Sequence, residues 1–300
     1  MTARPAIAPA SASGEAAPLL SVRDLKVHLR VGGAIVRAVD GVDLTVGPGE
    51  SVGIVGESGS GKSTLARAII KLLPNVELAA LEGEVNFRGK DLTRISDAPL
   101  RDLRRHNGFS MIFQDPLGYL NPTKRVGRQV AEALGGKSPI AIAERVRQLL
   151  AEAGLPEPAH VARRFPHELS GGMRQRVMIA IALASEPALL FADEPTTALD
   201  ATVQLQVLET LRRLHRDRNM AMAIITHDLG VVAELCDRVY VMRAGKVVES
   251  GDTVEVFENP KHPYAAQLIE LSTRHRRSGP APRRPTTEPS AEGVASGAAR

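Results

Sequence analysis

The sequence predicts an α/β fold built around a mainly parallel sheet. Apolar strand-like runs alternate with helix-like runs along the chain. The strand-like runs are residues 51–55, 109–113, 188–192 and 221–225, and the helix-like runs are residues 62–73, 173–184 and 202–213. Such alternation is typical of parallel strands connected through helices. Hydrophobic residues make up 43% and charged residues 24% of the 300 residues, which is ordinary for a globular protein and argues against a disordered or fibrous one.

Both ends of the chain are predicted to be disordered. Ala, Pro and Ser dominate residues 1–18, and Pro, Arg, Ser and Gly dominate residues 272–300. Ordered structure is therefore expected from Leu19 to Leu271. The basic C-terminal segment also carries the whole excess charge of +4, since residues 21–271 contain equal numbers of acidic and basic side chains. Despite a sequence pI of about 9.4, no nucleic acid partner is predicted.

Residues 56–63 match the pattern G-x-x-x-x-G-K-[ST] and connect a strand-like run to a helix-like run. In such a phosphate loop, backbone N–H groups point at phosphate oxygens, a lysine reaches the terminal phosphates and a hydroxyl can bind Mg²⁺. The alternative is a Gly/Ser turn without a ligand, which the flanking strand and helix disfavour. The predicted nucleotide-binding residues here are Gly56, Glu57, Ser58, Gly59, Ser60, Gly61, Lys62, Ser63 and Thr64.

The apolar run at residues 188–192 ends in two carboxylates, Asp193 and Glu194. Ligands of α/β sheets bind at the carboxyl ends of parallel strands, where these side chains are expected to lie. Asp193 is predicted to hold Mg²⁺, and Glu194 to orient and deprotonate an attacking water molecule. The competing interpretation is a solvated acidic turn before Pro195.

Ser170, Gly171 and Gly172 directly precede the helix-like run at residues 173–184. Serine is a good N-cap, and the glycines leave backbone N–H groups open to an anion. This second anion-binding element either completes the same site or serves a nucleotide on another subunit. An ordinary capped helix is the simpler possibility.

A helical insertion is predicted between the two halves of the sheet, at about residues 115–176. Residues 126–134 and 140–153 have helical patterns, separated by Gly135 and Gly136, and strand patterns are weak between residues 126 and 165.

Six motifs in order resemble those of the nucleotide-binding subunit of ABC transporters, over roughly residues 20–270. They are residues 56–63, Gln114 after 109–113, 169–176, 191–195, 198–200 and 226–228. The resemblance implies a P-loop NTPase core with an N-terminal antiparallel β part, and an ATP hydrolase that uses ATP and Mg²⁺. It also implies that two such domains pair head to tail, so that Ser170, Gly171 and Gly172 cap the ATP bound to the partner.

The resemblance further assigns roles to three single residues. Gln114 contacts the metal and the attacking water and links the core to the helical insertion. His227 contacts the γ-phosphate, and Asp200 communicates across the dimer.

Two further stretches look like those of the ATPases of the peptide and nickel importer branch. They are residues 114–122 and residues 257–264, the second followed by a helix-like segment at residues 265–271. The expected partners are transmembrane permease subunits, a second ATPase subunit, identical or different, and indirectly an extracellular solute-binding protein. The expected location is the cytoplasmic face of the cell membrane, as a peripheral protein. A nickel or metal-chelator importer is the alternative to a di- or oligopeptide importer.

A non-transport ABC ATPase acting on DNA or ribosomes is the alternative from another class. DNA-repair members would require a long coiled coil between Lys62 and Ser170, and translation members usually carry tandem ATPase domains. The sequence shows neither pattern.

The sequence departs from the family at the adenine contact, because no aromatic residue precedes Phe87. His28, Leu29, Val31 and Val36 are the candidates that remain. The single cysteine, Cys236, excludes an intrachain disulfide and is expected to be a small buried residue.

Overall fold

The computed structural model describes residues 17–74, 76–134 and 139–277. The segments at residues 1–16 and 278–300, both predicted to be disordered, lie outside the described residues, as does the Gly135–Gly136 break. The last helix runs to Arg277, whereas the sequence predicted order only to Leu271.

Strands and helices alternate through the second half of the chain, as the sequence predicts. The strands are β1 (Leu20–Val31), β2 (Ala34–Val46), β3 (Ser51–Val55), β4 (Leu78–Phe87), β5 (Lys90–Asp91), β6 (Phe109–Ile112), β7 (Leu189–Asp193), β8 (Ala221–Thr226), β9 (Arg238–Arg243) and β10 (Lys246–Asp252). The helices are α1 (Lys62–Ile69), α2 (Asp97–Arg105), α3 (Pro116–Tyr119), α4 (Val126–Leu134), α5 (Pro139–Glu152), α6 (Pro158–Val161), α7 (Gly171–Leu183), α8 (Ala201–Arg218), α9 (Leu229–Leu235), α10 (Thr253–Glu258) and α11 (Pro263–Arg277).

The central sheet has the strand order β10-β9-β3-β8-β7-β6. Strands β9, β3, β8, β7 and β6 pair in parallel, and β10 pairs antiparallel with β9 at the edge. Every residue of β3, β7 and β8 is buried, which explains their continuous apolar sequences. Because β3, β8, β7 and β6 are neighbours and point the same way, the loops that follow them meet at one edge of the sheet.

A second, antiparallel sheet has the strand order β2-β1-β4-β5. Leu20 at the start of β1 pairs with Val46 of β2 on one side and with Phe87 of β4 on the other. The inward residues of this sheet share a hydrophobic core with α1 and with one face of the central sheet. The predicted fold class, a mainly parallel sheet with an N-terminal antiparallel part, is confirmed.

Helices α3 to α7 follow β6 and precede β7, in the region where the sequence predicts a helical insertion. Their apolar faces form one core with the other face of the central sheet. The fully buried residues of this core include Val126, Leu149 and Val177. Among the described helices, none combines the length and the apolarity needed to cross a bilayer.

Helix α1 is shorter than predicted, since it ends at Ile69 and not near Leu73. The Arg104 guanidinium donates to the carbonyl oxygens of Ile70 and Lys71, both at 2.7 Å. Lys71 has a left-handed backbone (φ 53°). The Arg104 side chain of α2 therefore bonds to two carbonyl oxygens that would point along the axis of a longer helix. This tertiary contact cannot be predicted from the local sequence of α1.

Candidate nucleotide-binding site

The phosphate loop, residues 56–63, leaves the carboxyl end of β3 and runs into α1. The buried Lys62 ammonium donates to the carbonyl oxygens of Gly56 at 2.8 Å and Glu57 at 2.9 Å. Burial lowers the pKa of Lys62, while the carboxylates of Glu194, Asp193 and Glu57 act in the opposite direction. The Lys62 side chain thus crosses the loop, and its ammonium group lies where it can bind anionic oxygens.

Two glycines of this loop allow close approach to neighbouring backbone. A Cβ atom at Gly56 (φ 151°) would lie 2.2 Å from the carbonyl oxygen of Met242, and one at Gly61 (φ 101°) would lie 2.1 Å from that of Ala38. Side chains at these positions would force the loop away from β2 and β9. The phosphate loop therefore requires glycine at positions 56 and 61 for a steric reason, the close approach of neighbouring backbone, which the sequence motif alone does not show.

Ser63 and Asp193 meet although they are far apart in sequence. The Ser63 hydroxyl donates to Oδ1 of Asp193 at 2.7 Å. Asp193 is fully buried, and its Oδ2 has no hydrogen-bond partner among the described residues, with an Arg67 nitrogen 3.6 Å away. Burial raises the pKa of Asp193, which the Ser63 hydrogen bond and Arg67 partly offset. A hydroxyl and a carboxylate with an unused oxygen are the donors that Mg²⁺ prefers, so this pair fits that ion.

Glu194 follows on the same strand end with a left-handed backbone (φ 49°), and its amide donates to the carbonyl oxygen of Ile225 at 2.8 Å. Oε1 of Glu194 lies 2.8 Å from Nδ1 of His227, and Oε2 accepts from the Thr197 hydroxyl at 2.8 Å. Both carboxylate oxygens are therefore held. Glu194 is mostly buried, whereas the His227 side chain is 65% exposed at the rim.

Lys62, Ser63, Glu194 and His227 open onto one groove of about 660 Å³, whereas Asp193 is buried and is not among the residues that line it. Its walls include most of the predicted nucleotide-binding and catalytic residues: Ser58, Gly59, Gly61, Lys62, Ser63, Thr64, Gln114, Glu194 and His227. The structure thus brings together residues from the ends of β3, β6, β7 and β8.

The opposite wall of the groove was not predicted, apart from Val36. It comes from Arg37 and Ala38 of β2, and from Ala244 and Gly245 in the β9–β10 turn. Of the four adenine candidates, Val36 lines the groove, whereas Leu29 packs on the core of the antiparallel sheet. The turn had one detectable signal, an Ala-Gly pair between two apolar runs.

Ser170, Gly171, Gly172 and Asp200 are not among the residues that line this groove. The Ser170 hydroxyl caps α7 by accepting from the Met173 amide at 3.3 Å, and the Asp200 carboxylate caps α8 by accepting from the Val203 amide at 3.0 Å. Both side chains therefore serve helix starts within this chain, and their residues are exposed.

The family model of ABC transporters matches residues 39–197. The chain is 47% identical over 254 residues to the oligopeptide transport ATP-binding protein OppD of Bacillus subtilis, covering 84% of this chain and 71% of that protein. It is 50% identical over 255 residues to the peptidoglycan transport ATP-binding protein YejF of Agrobacterium fabrum. The match covers 84% of this chain but 46% of that relative, so this chain spans about half of its length.

Solved structures agree with the sequence comparison. The ATP-binding cassette MJ0796, in a dimeric post-hydrolysis state bound to ADP and Pi, superposes with a TM-score of 0.69 at 30% identity, covering 78% of this chain and 98% of that one. CbiO1 from Clostridium perfringens gives a TM-score of 0.68 at 28% identity, covering 86% and 97%. The chain therefore belongs to the ABC transporter family and carries the ATP-hydrolysing domain of that family.

Proposed function

We propose that this chain is the ATP-hydrolysing subunit that powers a peptide importer. The observation that carries the proposal is the groove lined by Lys62, Ser63, Glu194 and His227, with the buried Asp193 bonded to Ser63. These are a phosphate-binding cation, a metal site and a base, the groups that phosphoryl transfer to water requires.

Nucleotide phosphates bind in the phosphate loop. Lys62 exchanges its hydrogen bonds to the carbonyls of Gly56 and Glu57 for contacts with phosphate oxygens. The N-terminus of α1 and the loop amides supply further positive potential. Because Lys62 is already buried, little solvent has to be removed from its charge when the phosphates arrive.

Ser63, Asp193 and Gln114 are the residues that would hold Mg²⁺, which neutralises charge on the phosphate oxygens when bound. Ser63 and Asp193 are already in contact, and Gln114 lies in the same groove. Gln114 also stands between β6 and α3, so it joins the nucleotide to the helical insertion.

Glu194 acts as the general base that takes a proton from the attacking water. Its carboxylate is oriented by His227 on one oxygen and by Thr197 on the other. His227 then stabilises charge on the γ-phosphate from the rim of the groove. A base held through both oxygens is pre-oriented, which lowers the entropic cost of the reactive geometry.

Ser170, Gly171, Gly172 and Asp200 serve the nucleotide of a second chain. Their position outside their own groove, the exposure of Ser170, Gly171 and Asp200, and the dimeric state of the cassette MJ0796 support this assignment. The complete site is therefore shared between two ATPase subunits, which are identical or different.

The solute is assigned to di- or oligopeptides. The relatives include the dipeptide transport ATP-binding protein DppD of Bacillus subtilis, 46% identical to this chain, as well as the oligopeptide protein OppD. Transmembrane permeases, supplied by other chains, hold this subunit at the cytoplasmic face of the membrane. An extracellular solute-binding protein delivers the peptide to them.

The hydrolysis mechanism is tested by Glu194→Gln. Glutamine keeps the shape of the side chain but cannot accept a proton, so ATP turnover is expected to fall by about 10²- to 10⁴-fold while ATP still binds. Phosphate release measured with purified protein gives the result. Glu209→Gln is the matched control, because this exposed glutamate of α8 bonds only to Arg212 among the partners found for its side chain in the described structure. Turnover of the Glu194 variant near the wild-type rate would refute the assigned base.

The solute is tested by uptake in a strain that lacks this chain. Loss of labelled dipeptide uptake, restored by the wild-type chain and not by Glu194→Gln, is the expected result. Unchanged dipeptide uptake together with lost Ni²⁺ uptake would instead assign the chain to a nickel importer.

A further inference from the structure

The phosphate loop is bonded to a tyrosine from the far end of the described chain. The backbone N–H of Glu57 donates to the phenol oxygen of Tyr264 at 3.1 Å. Tyr264 lies in the first turn of α11 and is 3% exposed. It is thus a buried hydroxyl from outside the family-matched residues 39–197 that contacts a residue of the nucleotide-binding motif.

Tyr264 is itself held in place from two sides. The Glu249 carboxylate of β10 accepts from the amide of Lys261 at 2.8 Å and from that of His262 at 2.9 Å, which fixes the chain just before α11. The guanidinium of Arg243 lies 4.7 Å from the centre of the tyrosine ring, a cation–π contact. The hydroxyl position is therefore determined by β9, β10 and α11 together.

The turn between β9 and β10 supplies a second bond to the same loop. The amide of Gly245 donates to the carbonyl oxygen of Ser60 at 2.9 Å. Tyr264 and Gly245 thus bond to the backbone of the loop at Glu57 and Ser60, and Lys62 bonds to its carbonyl oxygens at Gly56 and Glu57. Both contacts to the phosphate loop therefore come from one segment of the chain, residues 243–264.

We propose that Tyr264 is a positioning residue for nucleotide binding, which acts through the Glu57 amide on the shape of the phosphate loop. The inference rests on the proposed function of the loop. A loop amide that is already bonded has less freedom to lose when the phosphates bind, so the tyrosine increases nucleotide affinity without touching the nucleotide. Glu194 and His227 lie on other strand ends, so the chemical step does not depend on Tyr264.

The test is Tyr264→Phe in the full-length chain, which removes the hydroxyl and keeps the ring beside Arg243. The dissociation constant for MgADP, measured by calorimetry, and the KM for ATP are each expected to rise about threefold to tenfold, with kcat within about twofold of wild type. This split between KM and kcat is not expected from a general loss of stability.

Tyr240→Phe is the matched control. Tyr240 is also a buried tyrosine whose oxygen accepts a backbone N–H, that of Thr45 at 3.0 Å, but it bonds to no residue of the phosphate loop among its contacts in the described structure. Its loss is expected to lower the melting temperature and leave MgADP affinity unchanged. If Tyr264→Phe also lowers only the melting temperature, the inference is wrong.

A measurement on the wild-type chain covers the case in which Tyr264→Phe does not fold. The Glu57 amide is expected to exchange slowly with deuterium although Glu57 is exposed. Exchange at the rate of an unstructured peptide would overturn the inference. Failure of wild-type protein to bind MgADP, or binding that survives Lys62→Ala unchanged, would instead refute the proposed function of the loop.

Discussion

Asp193 combines a stability cost with a proposed role in metal binding. Its carboxylate is fully buried, one oxygen accepts from Ser63, and the other has no hydrogen-bond partner within the described structure. Burial raises the pKa of Asp193, which means that the ionised form is disfavoured in the folded protein. The proposed metal-binding role accounts for this cost, because a bound cation would offset the burial of the charge.

Asp193→Asn is therefore expected to stabilise the nucleotide-free protein by roughly 1 kcal/mol, because the amide carries no charge to desolvate. The same change is expected to remove Mg²⁺-dependent ATP hydrolysis. Melting temperature and phosphate release measure the two effects. Asp217→Asn is the control, since this carboxylate is 56% exposed beside Arg216 and should alter neither. A destabilised Asp193 variant would contradict this account of the site.

The sequence could identify the site residues whose roles follow from their immediate neighbours. Residues 56–64 and the pair Asp193 and Glu194 are contiguous with strand or helix patterns, so their placement at one sheet edge follows from the α/β order. Tyr264 and Gly245 could not be assigned in this way. Their contacts with Glu57 and Ser60 join segments that lie far apart in sequence, 207 residues apart for Glu57 and Tyr264, and nothing in the local sequence of either segment specifies the other.

Helices α7 and α8 pack through a glycine. A Cβ atom at Gly172 would lie 2.2 Å from a methyl carbon of Val203, whereas one at Gly171 would find its nearest neighbour, Leu199, at 3.7 Å. The start of α7 therefore packs against the side chain of Val203 in α8 without room for a further methyl group.

Gly172→Ala is expected to destabilise the protein by about 1 to 3 kcal/mol through overpacking, because the two helices must separate to admit the methyl group. Gly171→Ala provides the matched control one residue away. Its methyl group has room, and alanine favours a helix, so stability is expected to stay equal or to rise. Urea titration of both variants measures the difference. Equal stability of the two would show that α7 and α8 adjust freely.

Elements were predictable where burial on both faces gives an uninterrupted apolar run, as in β3, β7 and β8. Strand β1 was not located from its pattern, and the antiparallel part was expected only through the family resemblance. In the pairing of β1 with β2, one extra residue of β1 lies between Val22, opposite Leu44, and Leu25, opposite Val42. The buried positions therefore change from Leu20 and Val22 to Leu25 and Val27, so the alternation that marks a half-buried strand is broken.

At the scale of the whole molecule, the groove belongs to a sheet edge and not to a single motif. The ends of β3, β6, β7 and β8 contribute residues of the phosphate loop, Gln114, Glu194 and His227, and β2 and the β9–β10 turn form the opposite wall. The charge excess of the sequence plays no part in this arrangement, because it lies in residues 272–300. The predicted site residues at the starts of α7 and α8, Ser170, Gly171, Gly172 and Asp200, lie outside the groove. They are the residues proposed to serve the nucleotide of a second chain.

The position of β3 also determines when the site can form during synthesis. Residues 51–55 pair with β8 on one side and β9 on the other, and the loop that follows them bonds to Tyr264. A ribosome makes the phosphate loop early, yet its supporting strands, which begin at Ala221 and Arg238, and its tyrosine emerge much later. A nascent chain halted before Tyr264 thus carries the whole motif without the anchored loop, so full nucleotide affinity is acquired late in translation.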